Sequence, residues 1–165
     1  MARFVRYPDL RLARAATPRP VDDAMRDVGK KLEAAAMEVQ AYGLAAVHLG
    51  EVEPLVVISI APDARSRDYR ILFNPEIVFA SEEAESGLEG SVSMPGVEVP
   101  IVRANSLELV YQDAEHVRHT LRLEGFAARV AQHEIDQMNG IFFLDRLSRL
   151  KRDMAIRRYN KAGAR

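Results

Sequence analysis

The sequence contains no cysteine. That excludes disulfides, zinc–thiolate centres and a cysteine nucleophile, and it leaves the redox compartment open. No apolar run is long enough to span a bilayer, and the N-terminal Met1-Ala2-Arg3-Phe4-Val5-Arg6-Tyr7-Pro8 has no signal-peptide core. The expectation is a cytoplasmic protein without a membrane partner. An excess of one charge is also missing, with 23 Lys and Arg against 24 Asp and Glu. Bulk charge therefore favours neither DNA binding nor an acidic tail. There is no internal repeat and no Pro/Gly-rich linker, so the 165 residues read as one domain, 1–165.

What charge there is lies unevenly. The acidic stretch Glu82-Glu83-Ala84-Glu85 sits mid-chain. A basic tail carries Arg146, Arg149, Lys151, Arg152, Arg157, Arg158, Lys161 and Arg165 against Asp145 and Asp153.

Periodicity supplies the elements. Val21, Met25, Val28, Leu32, Ala35, Ala36 and Val39 recur at three- and four-residue steps, predicting an amphipathic helix that starts near Pro20-Val21-Asp22-Asp23 and ends near Gly43. Leu55–Ile60 and Arg70–Phe73 read as strands, the latter closed by Asn74-Pro75 with Glu76–Ala80 continuing beyond it. Ser86–Pro100 reads as a shaped loop with short extended pieces. Leu107–Gln112 and His119–Leu123 form a hairpin around Asp113–Val117. Gly125–Met138 is the next helix, Ile141–Leu144 a short strand, and a tail helix covers about 148–165. The order indicates α+β.

Chemistry concentrates in the helix segment Gln132-His133-Glu134-Ile135-Asp136-Gln137. In H-E-x-x-H, two imidazoles one turn apart bind a metal and the glutamate acts as general base. Here the second histidine is Gln137. Alone, half a motif is weak, and a surface or core polar pair is the commoner outcome. Two further segments stand with it: Tyr42-Gly43-Leu44-Ala45-Ala46-Val47-His48 and Glu89-Gly90-Ser91-Val92-Ser93-Met94-Pro95.

Together the three segments resemble the signatures of the peptide deformylases, G-x-G-x-A-A-x-Q, E-G-C-L-S and Q-H-E-x-D-H, in the same order. Phe73-Asn74-Pro75, Arg103 and Gly140-Ile141-Phe142-Phe143-Leu144-Asp145-Arg146-Leu147-Ser148 match the flanks. The resemblance covers roughly Pro20 to Lys151. It implies antiparallel and mixed sheets around a central motif-bearing helix, with helices at either end. It also implies an enzyme that removes the formyl group from N-terminal formyl-methionine using one divalent metal.

Carried over by position, His133 is the retained metal ligand and Glu134 the acid–base residue. Tyr42, Gly43 and Leu44 border the substrate cleft, with Ala45 and Ala46 beside them. Glu89 and Arg103 brace the metal loop, and the Val92 backbone N–H faces the oxyanion. The departures are Ala41 for the first glycine, His48 for the glutamine, Ser91 for the cysteine ligand and Gln137 for the second histidine ligand. A neutral hydroxyl and a neutral amide replace a thiolate and an imidazole, so Ser91 and Gln137 are expected not to bind the ion. Arg129 falls where the resemblance implies an uncharged residue lining the methionine pocket. It closes the pocket against Glu89 or Glu134, suits it to an anionic group, or reaches out to solvent.

The leading expectation is a deformylase-like protein without metal or hydrolysis that keeps a cleft for peptide N-termini. A second reading is an active hydrolase in which His48 and His133, with Glu134 or Glu89, hold iron, nickel or zinc. Ser91 as a nucleophile with His133 as base and Glu134 as its orienter is a related variant, and an imidazole of His48 bonded to Glu134 or Ser91 is the blander alternative. A third reading is a module that meets the ribosome through the basic tail helix; a solvated basic face is its plain alternative.

Overall fold

A computed structural model describes residues 1–163. Arg165, counted above with the basic tail, lies outside the described residues. Among the described residues there are three α-helices and two antiparallel sheets, with short 3-10 turns between them. Helix α1 (Asp23–Val39) begins where Asp22 accepts the Met25 N–H at 2.9 Å, a side-chain N-cap. It buries Met25, Leu32, Ala35 and Ala36. It stops four residues before the predicted Gly43, because Gln40 takes a left-handed conformation (φ 53°) and its amide donates to the Met37 carbonyl.

The larger sheet runs in the order β1 (Gly43–Ala45), β2 (Leu55–Ser59), β3 (Tyr69–Ala80), β6 (Ser106–Gln112), β7 (Arg118–Glu124). Residues of β2 are buried throughout, as a strand flanked on both faces requires. Strand β3 passes through Asn74-Pro75 by a register shift between Phe73 and Glu76 instead of closing there. Asn74 adopts φ 48° and bonds Arg19 and Gln112, which satisfies the bulge.

The predicted loop 86–100 is in part a second sheet, β4 (Ala84–Glu89) paired with β5 (Val99–Ala104). Helix α2 (Gly125–Met138) has the predicted limits and packs on β1 and β2. The predicted strand Ile141–Leu144 is instead a 3-10 turn at Phe143–Arg146, with the Asp145 carboxylate accepting the Phe142 N–H at 3.0 Å. Phe142, Phe143 and Leu144 are buried, Phe142 stacked on Tyr7 at 5.3 Å. Helix α3 (Arg149–Gly163) follows and buries only Ala155. Among the described residues, no helix is long and apolar enough to cross a membrane.

The N-terminal segment straps these parts together. Val5 N–H donates to the His48 carbonyl and Tyr7 N–H to the Ser93 carbonyl, both at 2.8 Å, and Ala16 N–H to Met138 at 2.9 Å. All three signature segments are thus fixed relative to α2.

Candidate active site

A cavity of about 340 Å³ opens between edge strand β1 and the β4–β5 ribbon, with α2 as its floor. Tyr42 and Gly43 form one wall; Leu88 to Val92 form the other; Phe126, Arg129, Val130, His133 and Glu134 face up from α2; His48 closes one side. These α2 residues sit three and four apart, so one helix face carries them all.

Two expected members are elsewhere. The side chain of Leu44 is fully buried in the core cluster that also holds Ala46, so it does not border the cleft. Strand alternation explains this, since Gly43 and Leu44 point to opposite faces of β1. Gln137 is also outside the cavity lining. It is 2% exposed and its amide donates to the Leu12 carbonyl at 2.7 Å. Gly43 does line the cavity, and it also serves packing. A Cβ there would stand 2.8 Å from Glu134 Cγ and 3.0 Å from both Val130 Cγ1 and the Val57 carbonyl. The bare backbone lets α2 approach β1.

Glu89 is the electrostatic centre. Its carboxylate accepts from Arg103 Nε and Nη2 at 2.9 Å each, from Arg129 Nη1 at 2.7 Å, and pairs with His133 Nδ1 at 2.7 Å. Burial would raise its pKa, but the bonds from His133 and Arg103 hold it down at about 2. Burial likewise opposes charge on His133, and the neighbouring Glu134 and Glu89 more than offset it, lifting His133 above the usual imidazole range. Arg103 continues to Asp136 at 2.6 Å, which also binds Arg146 at 2.7 and 2.9 Å. The expected Glu89–Arg103 brace is therefore one link in a chain of charges from Arg129 to Arg146.

Arg129 takes the first of its three alternatives. Besides Glu89, its guanidinium donates to the carbonyls of Ile101 and Glu85, both at 2.8 Å. It neither meets Glu134 nor reaches out to solvent, with the side chain 14% exposed.

His48 is buried and bonds neither Glu134 nor Ser91. Its Nδ1 accepts the Ala45 N–H at 2.9 Å and stands 3.8 Å from Glu134 Oε1. Burial, then the neighbouring His133, push its pKa down to about 3, so the ring is neutral. With Nδ1 accepting, the proton sits on Nε2, a buried donor with no partner among the described residues. Glu134 Oε1 is likewise unpartnered, and burial pushes its carboxyl up to about 7. Ser91 Oγ accepts the Ser93 N–H at 3.1 Å. Among the described residues, the Val92 N–H meets no protein acceptor.

The set of one thiolate and two imidazoles implied by the resemblance does not fit these residues. Ser91 offers a neutral hydroxyl and Gln137 lies outside the cavity lining with its amide tied to Leu12. Among the described residues, no three of His, Cys, Asp or Glu are arranged to hold one ion, and this includes the combination of His48, His133, Glu134 and Glu89. For the serine-nucleophile variant, the carboxylate that orients His133 is Glu89, not Glu134.

The family model described as polypeptide deformylase matches residues 1–153. A "Peptide deformylase-like" protein of Brucella suis is 40% identical over 96% of this chain and 95% of its own length. A "Peptide deformylase" of Rhizobium meliloti is 33% identical over 94% of this chain and 90% of its own. Among solved structures, peptide deformylase from Ehrlichia chaffeensis superposes with a TM-score of 0.89 at 30% identity, covering 98% of this chain and 96% of that one. A deformylase from the same organism in complex with actinonin gives 0.88 at 32% identity, covering 96% and 95%.

Proposed function

The chain belongs to the polypeptide deformylase family, and we propose that it keeps that family's cleft for peptide N-termini while lacking metal-assisted deformylation. The observation that carries this is the Gln137 amide, turned from the cleft onto the Leu12 carbonyl, while Ser91 supplies a neutral oxygen at the other exchanged position. Hydrolysis at neutral pH needs a water whose pKa has been brought down near 7, the service a bound metal performs. Without it Glu134 has no activated water to deprotonate.

Binding needs less. A peptide end entering the cavity meets the free outer side of β1, the His48 Nε2–H and the Val92 N–H. The two donors suit a carbonyl oxygen, which takes the place of water on them. The role of such a protein is to hold a peptide terminus, formylated or free, in competition with a processing enzyme. The test pairs titration of short formyl-Met peptides, followed by amide NMR at Val92 and Ala45, with a turnover assay. The reading expects shifts at those amides and no formate release.

A second reading concerns α3. Leu150 and Met154 are exposed one turn apart, 69% and 52%, on a helix with Arg149, Lys151, Arg152, Arg157 and Arg158. An apolar pair set among cations supports contact with a large anionic partner such as the ribosome. Co-sedimentation of the whole chain with ribosomes, with and without residues 148–165, tests it; equal sedimentation eliminates it.

A further inference from the structure

Arg129 stands one helical turn before His133 on the α2 face that floors the cavity. Its guanidinium crosses to the β4–β5 ribbon and is held there by unlike acceptors: the Glu89 carboxylate and the carbonyls of Ile101 and Glu85, with Gly87 O at 3.4 Å. Gly87 makes the crossing possible, because a Cβ there would sit 2.9 Å from Arg129 Cζ and 3.0 Å from Nε and Nη2. The group is therefore a fixed part of the cavity wall. It lines the cavity beside Phe126 and Leu88, and Phe126 lies about 12 Å along the α2 axis from Glu134, eight residues at 1.5 Å each.

We propose that Arg129 determines specificity in this cleft, so that the leading side chain of a bound peptide is short and carries a hydrogen-bond acceptor, as in Asp or Asn, and long apolar side chains such as that of Met are refused. This deepens the reading of the cleft as a peptide-terminus site and rests on it. A long apolar chain in this end of the cavity covers a guanidinium and returns no acceptor, which a buried charge does not tolerate. The Arg129 Nε–H makes no protein hydrogen bond among the described residues, and an oxygen on the ligand fills it. The linked charges also favour an anion. In the linked ion pairs Arg103, Arg129 and Arg146 meet Glu89 and Asp136, three cations on two carboxylates, with Asp145 also near Arg146 and the Glu134 carboxyl held largely neutral below about pH 7 by burial. Glu98, which also lines the cavity, opposes this, but it is exposed to water and screened.

The test is calorimetric titration of the whole protein with formyl-Met-Ala-Ala, formyl-Asp-Ala-Ala and formyl-Asn-Ala-Ala, on the wild type, Arg129→Leu and Arg129→Lys, each checked for folding by thermal melting. The expected result is at least tenfold tighter binding of the Asp or Asn peptide than of the Met peptide by the wild type. Arg129→Leu reverses that order, and Arg129→Lys weakens the preference. A wild type that binds the Met peptide as tightly as the others overturns the assignment to Arg129 and leaves the peptide-terminus reading standing; this comparison does not depend on either variant folding. An order unchanged in folded Arg129→Leu overturns it equally. Binding of none of the three peptides by the wild type or by folded Arg129→Leu overturns both.

Discussion

The side-chain amide of Gln137 donates to the backbone carbonyl of Leu12 across 125 residues of sequence, at 2.7 Å and with both residues buried. The position that would carry a metal-binding imidazole thus fastens the N-terminal strap to the end of α2. Replacing Gln137 affects stability as well as donor chemistry. Gln137→Ala leaves the Leu12 carbonyl without its partner, and about 1–3 kcal/mol of unfolding free energy is expected to disappear in urea melts.

Restoring the implied donors is the corresponding gain-of-function prediction. Ser91→Cys with Gln137→His is expected to take up one zinc or nickel ion per chain, with each single variant taking up less. The double variant is expected to be less stable than the wild type without metal and to recover on adding it, since binding to the folded state alone stabilises that state. A double variant that binds nothing means the donors are held apart, with the Arg129-clamped ribbon the first cause to examine.

Gly87 and Arg129 are expected to be coupled. Gly87→Ala puts a methyl where the guanidinium lies, and the guanidinium cannot yield without loosening bonds to Glu89, Ile101 and Glu85. A double-mutant cycle with Arg129→Ala is expected to give a coupling energy of about 1 kcal/mol or more. Additivity within about 0.5 kcal/mol contradicts the clamp.

The Glu134 carboxyl predicts a pH signature in stability. Its pKa is about 7 in the folded protein against an ordinary 4.5, because burial disfavours the anion. The folded state holds this proton more tightly than the unfolded chain. Its contribution is therefore most favourable below about pH 4.5, declines as pH rises towards 7 and is constant above. Glu134→Gln removes that decline. The variant's stability relative to wild type is expected to improve between pH 4.5 and 7 by on the order of 3 kcal/mol. Chemical denaturation of both proteins at pH 4.5 and 8 measures this; a difference independent of pH contradicts a buried, protonated carboxyl.

Gly43→Ala is expected to cost about 1–3 kcal/mol, because β1 and α2 touch through that glycine and neither backbone can move apart alone. Thermal melting reads it, and a neutral effect contradicts the close approach.

Elements set by local pattern were legible in the sequence. The apolar spacing of Phe126, Val130, Ala131, Ile135 and Met138 located α2 within its observed limits, and the alternation of Leu107–Gln112 located β6. Strands β4 and β5 were not, because Glu85-Ser86-Gly87-Leu88-Glu89 has little intrinsic strand preference and owes its form to pairing with 99–104 and to the reach of Arg129. The polar cluster was half legible. Motif spacing brought His133, Glu134, Glu89 and His48 to one cavity, but not the partners they chose. Ala45 N–H and the Leu12 carbonyl are backbone groups, and no sequence pattern announces them. Leu44 was misassigned because the motif ignores strand alternation. The N-terminal strap was missed because its contacts, Val5 to His48 and Tyr7 to Ser93, are non-local and carry no side-chain signature.

The most direct test of the central claim is elemental analysis of protein purified without chelators and then offered iron, nickel and zinc, with formate release from a formyl-Met peptide measured on the same samples. A cleft with Ser91 and Gln137 at the exchanged positions is expected to retain far less than one ion per chain and to release formate no faster than buffer. One ion per chain, with turnover that a chelator abolishes and the metal restores, contradicts the account.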